Sequence, residues 1–277
     1  MLVNFLFKQS LNIFDDTIIN HGRQANKPFP FSNGLLSIII ILGGHKGGLN
    51  KPKKKGEKYM IETVLDNIPF EINESQFLSE LKLFEDSSEA DEAIQLLKEA
   101  CSVAKPKAVY IESFVDSRTE DTVIIDGVSF RSRLLSANTE SVHRLFPYIA
   151  TCGTEIEQWA SNITDPLNAY YADMIMQLAL KSAVNELVKH LTYKKLHGKL
   201  SCMNPGSLED WPISEQKKLF SLFTDAIGVK LTDSFLMIPV KSSSGIYFNS
   251  DKKFVNCELC PRENCPSRRT AYKPHSR

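Results

Sequence analysis

The chain has 277 residues, 42% of them hydrophobic, with 33 Lys/Arg set against 33 Asp/Glu. That length supports one or two domains with a proper core. The charge is uneven: residues 1–59 hold nine Lys/Arg against three Asp/Glu, a net of +6, and residues 60–277 carry −6. A mildly acidic body gives no reason to expect nucleic-acid binding. Six cysteines, three of them crowded near the C-terminus, fit a reducing cytoplasm rather than a disulfide scaffold.

Residues 1–59 read as an unstructured or mis-annotated extension. Ser37 to Leu42 (SIIIIL), even with Leu35 and Leu36, is too short to span a bilayer. No stable membrane span is expected, and the run lies too deep for an ordinary signal peptide. Gly43 to Lys58 is basic and Gly-rich, a composition that does not bury a core. It is either a membrane-surface arm or an over-extended reading frame. Lys55-Gly56-Glu57 is encodable by a purine run like a ribosome-binding site, and Met60 stands where a start codon would follow. The second reading is favoured, with the functional protein beginning at Met60.

From Met60 the elements alternate. Ile61 to Ile72 has a β-rich look, and Asn73 or Ser75 caps a helix through Leu83. Asp91 to Val103 places Ile94, Leu97 and Cys101 on one helical face, with Cys101 as a small buried hydrophobe. Lys107 to Val115 and Thr122 to Arg131 read as strands, and Asp126-Gly127 is a hairpin signal. Phe146 to Thr151 is a strand, and Thr154 caps a short helix. Thr164 or Asp165 caps the longest one, with Pro166 in its first turn and its end near His197. This order predicts an α+β fold over residues 60–250: one domain with a largely antiparallel sheet covered by helices and a long central helix. His143, His190 and His197 are read as structural.

Ser201 to Phe248 is the stretch the rest is arranged to present. Asn204-Pro205-Gly206-Ser207 is a turn, since Pro presets φ and Gly admits positive φ. Ser214 to Asp225 is a helix with Leu219, Phe220, Leu222 and Phe223 on one face, and Gly228 is its C-cap candidate. Ser234 to Phe248 then reads as an apolar strand, a Ser242-Ser243-Ser244-Gly245 turn, and an aromatic strand.

This order resembles the activation (reactivation) domain of cobalamin-dependent methionine synthase, most closely its short stand-alone versions. The resemblance covers roughly Asp165 to Phe254. It is carried by Pro205-Gly206, the segment Ile227 to Ser234 (IGVKLTDS), Met237, Pro239 and Ser242 to Gly245. The resemblance implies that the mainly antiparallel sheet is curved and flanked by helices, and it implies a groove at Cys202, Asn204, Pro205, Gly206 and Ser207, with Ser243, Ser244 and Gly245 beside it. In that family an Arg-x-x-x-Gly-Tyr motif on the turn is assigned to S-adenosylmethionine. Cys202 stands at the Arg position and Ser207 at the Tyr position. A thiol does not make the bidentate pair a guanidinium makes with a carboxylate, so weak or absent S-adenosylmethionine binding is expected. Glu209, Asp210 and Trp211 either hold a ribose or an amine or form a solvated helix start. The serines either donate to corrinoid amides or a partner backbone, or are plain turn residues. Lys241 is either a contact or a solvated strand end.

Residues 251–277 form a Cys-rich tail. Cys257, Cys260 and Cys265 follow C-x2-C-x4-C-P, spacing that lets thiolates of one loop face a single iron–sulfur or zinc centre. The fourth ligand would be Cys202 or Cys152; otherwise the three thiols are incidental. Arg268 and Arg269 beyond them are a contact for an acidic partner or a solvated tail. Three functions remain open at this point. One is an accessory activation subunit that docks on the corrinoid-binding domain of a methyltransferase, where the cobalamin belongs to the partner. The others are an iron–sulfur electron-transfer protein for a corrinoid protein, and a cofactor-free interaction module.

Overall fold

The chain enters its sheet through β1 (Glu62–Leu65) and turns into α1 (Glu74–Leu81), where the side chain of Asn73 accepts the Gln76 N–H at 3.0 Å. The next helix, α2 (Ser88–Val103), opens the same way, with Ser87 accepting the Ala90 N–H. Such caps satisfy amide groups that lack an intrahelical partner. The computed structural model describes Lys54, Lys55, Lys58, Tyr59 and residues 61–194, 199–250, 254, 256–259 and 270–272. Lys54–Lys55 pairs antiparallel with Lys58–Tyr59 in a two-residue ladder.

After α2 come β2 (Lys107–Ile111), β3 (Ser113–Arg118), β4 (Thr122–Ile125) and β5 (Val128–Arg131). The hairpin between β4 and β5 turns on Asp126 and Gly127, both at positive φ (48° and 79°). That is the backbone the Asp-Gly pair selects, so this part of the sequence reading holds. Next are α3 (Arg133–Asn138), β6 (Arg144–Thr151), α4 (Thr154–Ser161) and α5 (Pro166–Lys194). Asp165 opens α5 by accepting the Asn168 N–H at 2.9 Å. With 29 residues, α5 runs about 44 Å at 1.5 Å per residue. The described helix stops at Lys194, and His197 lies outside the described residues.

Strand β7 (Lys199–Met203), α6 (Gln216–Phe220), β8 (Lys230–Leu231), β9 (Met237–Ile238) and β10 (Ser242–Ser250) complete the order. Strand β6 is the hub. One edge pairs with β2 and with the start of β3, and the other pairs with β10 along seven rungs, from Ser242↔Thr151 to Phe248↔Leu145. Strands β1 and β7 close the outer flanks, and every pairing among the described strands is antiparallel. The predicted α+β architecture, a curled antiparallel sheet against helices with one dominant helix, is the architecture observed.

Alternation sorts the core into two faces. Ala108, Tyr110, Phe146, Tyr148, Ala150 and Tyr247 face α1, α2, α4 and α5, and Ala90, Ala93 and Ala100 keep α2 slim in that layer. Ile111, Leu145, Ile246 and Phe248 face the other way, onto Trp211, Leu219 and Leu222. Val109 and Ile149 on that side meet Val229 and Met237. No described helix is long and apolar enough to cross a membrane.

Four local expectations are corrected. Thr154 lies inside α4; its N-cap is Gly153 at φ 101°, whose missing Cβ leaves room for the Lys105 carbonyl. The helix expected over Ser214 to Asp225 is a 3-10 turn at Ile213–Glu215 followed by the short α6. It ends at Ser221 because the hydroxyl there bonds back to the Lys218 carbonyl (2.7 Å) and the next amides make i→i+3 bonds. Gly228 (φ 87°) therefore sits in a later turn, and the C-cap is Ser221. The Ser242 to Gly245 run is no turn: it is the first half of β10. Finally, Cys101 is half-buried rather than fully buried, at the rim of the helical layer.

Candidate functional site

Where β7 ends, Asn204 begins the Pro-Gly turn. Its carbonyl accepts the Ser207 N–H (3.2 Å), and Gly206 takes φ 81°. The Gly206 N–H reaches the Trp211 carbonyl (2.7 Å), which closes residues 206–211 into a small loop. A Cβ on Gly206 would lie 2.7 Å from Ile213 Cδ1 and would have to displace that side chain, and φ 81° itself favours glycine.

The turn is fixed by a buried polar network. Asn204 Nδ2 donates to the Tyr148 hydroxyl and to the Ser244 carbonyl, each at 2.8 Å. Tyr148 and Ser243 share a hydroxyl–hydroxyl bond of 3.1 Å. Gln216 donates to Ser244 Oγ at 3.0 Å, Ser242 Oγ donates to Pro239 O, and the Ser242 and Thr151 hydroxyls share a bond of 2.9 Å. Ser242, Ser243, Ser244, Asn204 and Gln216 are all buried. Such bonds hold because an unmade one would cost the full desolvation of the group. Gly245 has no room for a side chain, since Met203 O and Asn204 Nδ2 would each lie 2.5 Å from a Cβ.

The structure thus brings together Cys202, Asn204, Gly206, Ser243, Ser244 and Gly245. Pro205 is buried at the same turn, and Ser207 Oγ is buried without a hydrogen-bond partner among the described residues. Cys202 stands opposite Tyr247 in the β7–β10 ladder. Its thiol lies 3.7 Å from the Tyr148 hydroxyl and 3.6 Å from Asn204 Oδ1. It faces into the layer of tyrosines, where Tyr148 and Tyr247 stack at 4.6 Å. Neither Cys202 nor Ser207 carries a charged group at this turn.

Burial pushes both the Tyr148 and Tyr247 phenols well above the ordinary tyrosine value, and the neighbouring Cys202 adds to the rise. The folded pKa exceeds that of the unfolded chain, about 10. Their contribution to stability is thus complete below pH 10 and is lost as pH rises through the higher folded value. Denaturation midpoints measured from pH 8 to 11 are expected to fall above pH 10, less steeply in Tyr247→Phe. Equal slopes in the two proteins would contradict this.

The sequence reading missed Tyr148 and Gln216. A phenol in the middle of the apolar FPYIAT strand was the available signal, because a buried hydroxyl needs a partner; nothing local marked Gln216. Lys241 is no solvated strand end. It is 3% exposed and pairs with Asp173 at 2.9 Å. His190 Nε2 lies 3.1 Å from the Tyr110 hydroxyl, a structural contact, and His143 is exposed before β6.

Beyond the turn lies a cleft of about 350 Å³. Asp121, Arg131, Ser132 and Arg133 line it from the segment that runs from β4 into α3, and Asp210, Pro212 and Glu215 from the loop after the turn. Asp210 accepts from the Ser132 hydroxyl and the Leu134 N–H, while Glu215 accepts the Arg131 N–H and pairs with Lys218 at 2.7 Å. Hydroxyls of Thr122 and Thr119, then Arg131, hold the Asp121 carboxyl below the ordinary range. Of the acidic run beside the turn, Asp210 ties the loop to α3, Trp211 is core with its ring 6.2 Å from Phe130, and Glu209 is exposed.

Cys260, Cys265 and the side chain of Cys257 lie outside the described residues, as do Arg268 and Arg269; the Cys257 backbone is in the 3-10 turn Asn256–Glu258. Among the described residues, no three His, Cys, Asp or Glu side chains gather to hold a metal. Cys152 is fully buried, and burial pushes its thiol up.

Fold and site together define an α+β module in which a curled antiparallel sheet carries a Pro-Gly turn locked onto β10. No family model matches the chain, and no curated protein matches it. Among solved structures the fold is similar to that of the MetH reactivation domain bound to AdoHcy, at 20% identity and a TM-score of 0.48, covering 71% of this chain and 80% of that one. At that level the likeness carries no argument about what this chain binds or does.

Proposed function

We propose that the chain is an accessory activation subunit that docks on the corrinoid-binding domain of a cobalamin-dependent methyltransferase, methionine synthase first, and supports reductive reactivation of its corrinoid. The observation that carries this reading is convergence of the residues behind the sequence resemblance. The Pro205-Gly206 turn is held on Ser244 through Asn204; Val229 and Met237 pack on Val109 and Ile149 of the same sheet. The pieces are separate in sequence and adjacent in the fold, as expected if they support one docking face from beneath. The cobalamin belongs to the partner. Cys257, Cys260 and Cys265 remain the proposed ligands of an iron–sulfur or zinc centre, and the cytoplasm the proposed location.

The test is reconstitution: a corrinoid-binding domain loaded with cob(II)alamin, a reductant, and this protein. Saturable binding and faster recovery of methyl transfer are expected; absence of binding at tens of micromolar would sink the proposal. S-Adenosylmethionine alone is expected to give no heat at micromolar concentration in calorimetry, because Cys202 and Ser207 replace the motif's Arg and Tyr. Restoring both (Cys202→Arg with Ser207→Tyr) should raise affinity, since one charge-assisted pair contributes about 1.5–3 kcal/mol. A low-micromolar dissociation constant for the unaltered protein would contradict the expectation.

A further inference from the structure

Residues 224–240 cross one face of the sheet between the edge strand β1 and α4. The segment leaves the core after Leu222 and ends at Lys241, whose carbonyl accepts the Cys152 N–H at 2.9 Å and whose ammonium pairs with Asp173. Inside it, β8 and β9 pair only with each other among the described strands. Among the described residues, its hydrogen bonds to the rest of the fold are made at its two ends. Glu62 of β1 accepts the Thr224 N–H. At the other end both Glu157 oxygens on α4 accept the Val240 N–H, at 3.0 and 3.2 Å, and the Pro239 carbonyl accepts the Ser242 hydroxyl. The middle is held by packing: Val229 and Met237 lie on Val109 and Ile149, in the smallest of the three core clusters.

Closing this segment onto the sheet carries costs that opening returns. Ile227 sits at φ 52° and Phe235 at φ 62°, a backbone region that strains β-branched and bulky residues. Glu62 Oε2 is buried and makes no hydrogen bond among the described residues, so it has lost water without compensation. Burial pushes the Glu157 carboxyl above the ordinary carboxylate range; Asp173 adds to the rise, while the Val240 amide and Lys241 oppose it. Its charged form therefore also gains when water returns. Few buried side chains and no ladder to the main sheet stand against these costs, and those are the features of a segment that opens locally. We propose that residues 224–240 are a hinged strap that lifts as one unit between fixed ends at Leu222 and Lys241, uncovering the apolar sheet face at Val109 and Ile149. The strap stands apart from the docking reading, and failure of reconstitution leaves it untouched.

Native-state hydrogen exchange of the full chain tests the strap. The amides of Val229, Thr232 and Val240 are expected to exchange roughly a hundredfold faster than those of the β6–β10 rungs, and to share one opening constant. Met237→Ala removes packing at the middle. It is expected to raise that constant roughly tenfold at all three amides, with the rungs unchanged. Phe235→Asn acts in the opposite sense, with about a threefold fall expected across the strap, because Asn tolerates left-handed backbone. Phe235 belongs to none of the three core clusters, so little packing is lost with it. Uncovering itself is read with Val109→Cys and peptide-resolved alkylation. The introduced thiol is expected to label in step with the opening constant, while Cys152, fully buried in the helical layer, stays unlabelled. The proposal is overturned if the strap amides are as protected as the rungs, or if each variant moves only the amides beside it. Labelling of the introduced thiol and Cys152 together would equally overturn it, since that marks global unfolding.

Discussion

Gly245→Ala is expected to destabilise the protein by about 3 kcal/mol, the upper part of the usual range for overpacking. The new Cβ would lie 2.5 Å from Met203 O and from Asn204 Nδ2. The amide can swing, but the Met203 carbonyl is backbone, and Met203 is the last rung of β7 on β10, opposite Ile246. Moving it undoes the end of that ladder and pulls Asn204 from Tyr148 and Ser244. Gly206→Ala is the instructive contrast. It meets the flexible end of Ile213, and its main cost is φ 81°, about 1 kcal/mol. Urea denaturation of both variants checks the order; Gly245→Ala within 0.5 kcal/mol of the parent would show that the crossing is looser than described.

The second large effect lies at Lys241. Its side chain is 4% exposed and its partner Asp173 is 32% exposed. Removing one member of a buried pair typically costs 3–5 kcal/mol, because the other charge is left uncompensated. Solvent reaches Asp173, and the Glu157 carboxylate is close enough to be felt by Lys241, so about 2 kcal/mol is expected for Asp173→Ala. Replacing both charges, Lys241→Met with Asp173→Leu, is expected to return within about 1 kcal/mol of the parent, since apolar packing substitutes well for an ion pair. If the double variant is no better than the single one, the pair is not what holds this corner.

Local chemistry made part of this fold legible. Asp126-Gly127 can be read because its turn needs two residues at positive φ, and Asn73 and Asp165 because a capping side chain acts within three residues. The serines of β10 were illegible for the opposite reason. Three polar residues before a glycine look like a turn, yet here each hydroxyl is matched by a distant group: Thr151, Tyr148 or Gln216. Lys241 misleads in the same way, because its partner sits 68 residues earlier on α5. The turn at Asn204 to Ser207 was found from Pro and Gly alone. The cleft beside it was not, since Arg131 and Arg133 belong to a strand end and a short helix that only the fold sets against Asp210.

The placement of β6 has a consequence for how the chain is made. Its first edge is covered by residues 107–114, already synthesised when Arg144–Thr151 emerges. The partner for its second edge, Ser242, lies 91 residues further on. At about 5–20 residues per second, that edge stays bare for roughly 5–20 s on the ribosome. It is an apolar strand with open backbone groups, the kind of template on which nascent chains pair with one another. A chain stopped before residue 242 is therefore expected in inclusion bodies, because Ser242–Ser250 never arrives to cover this edge.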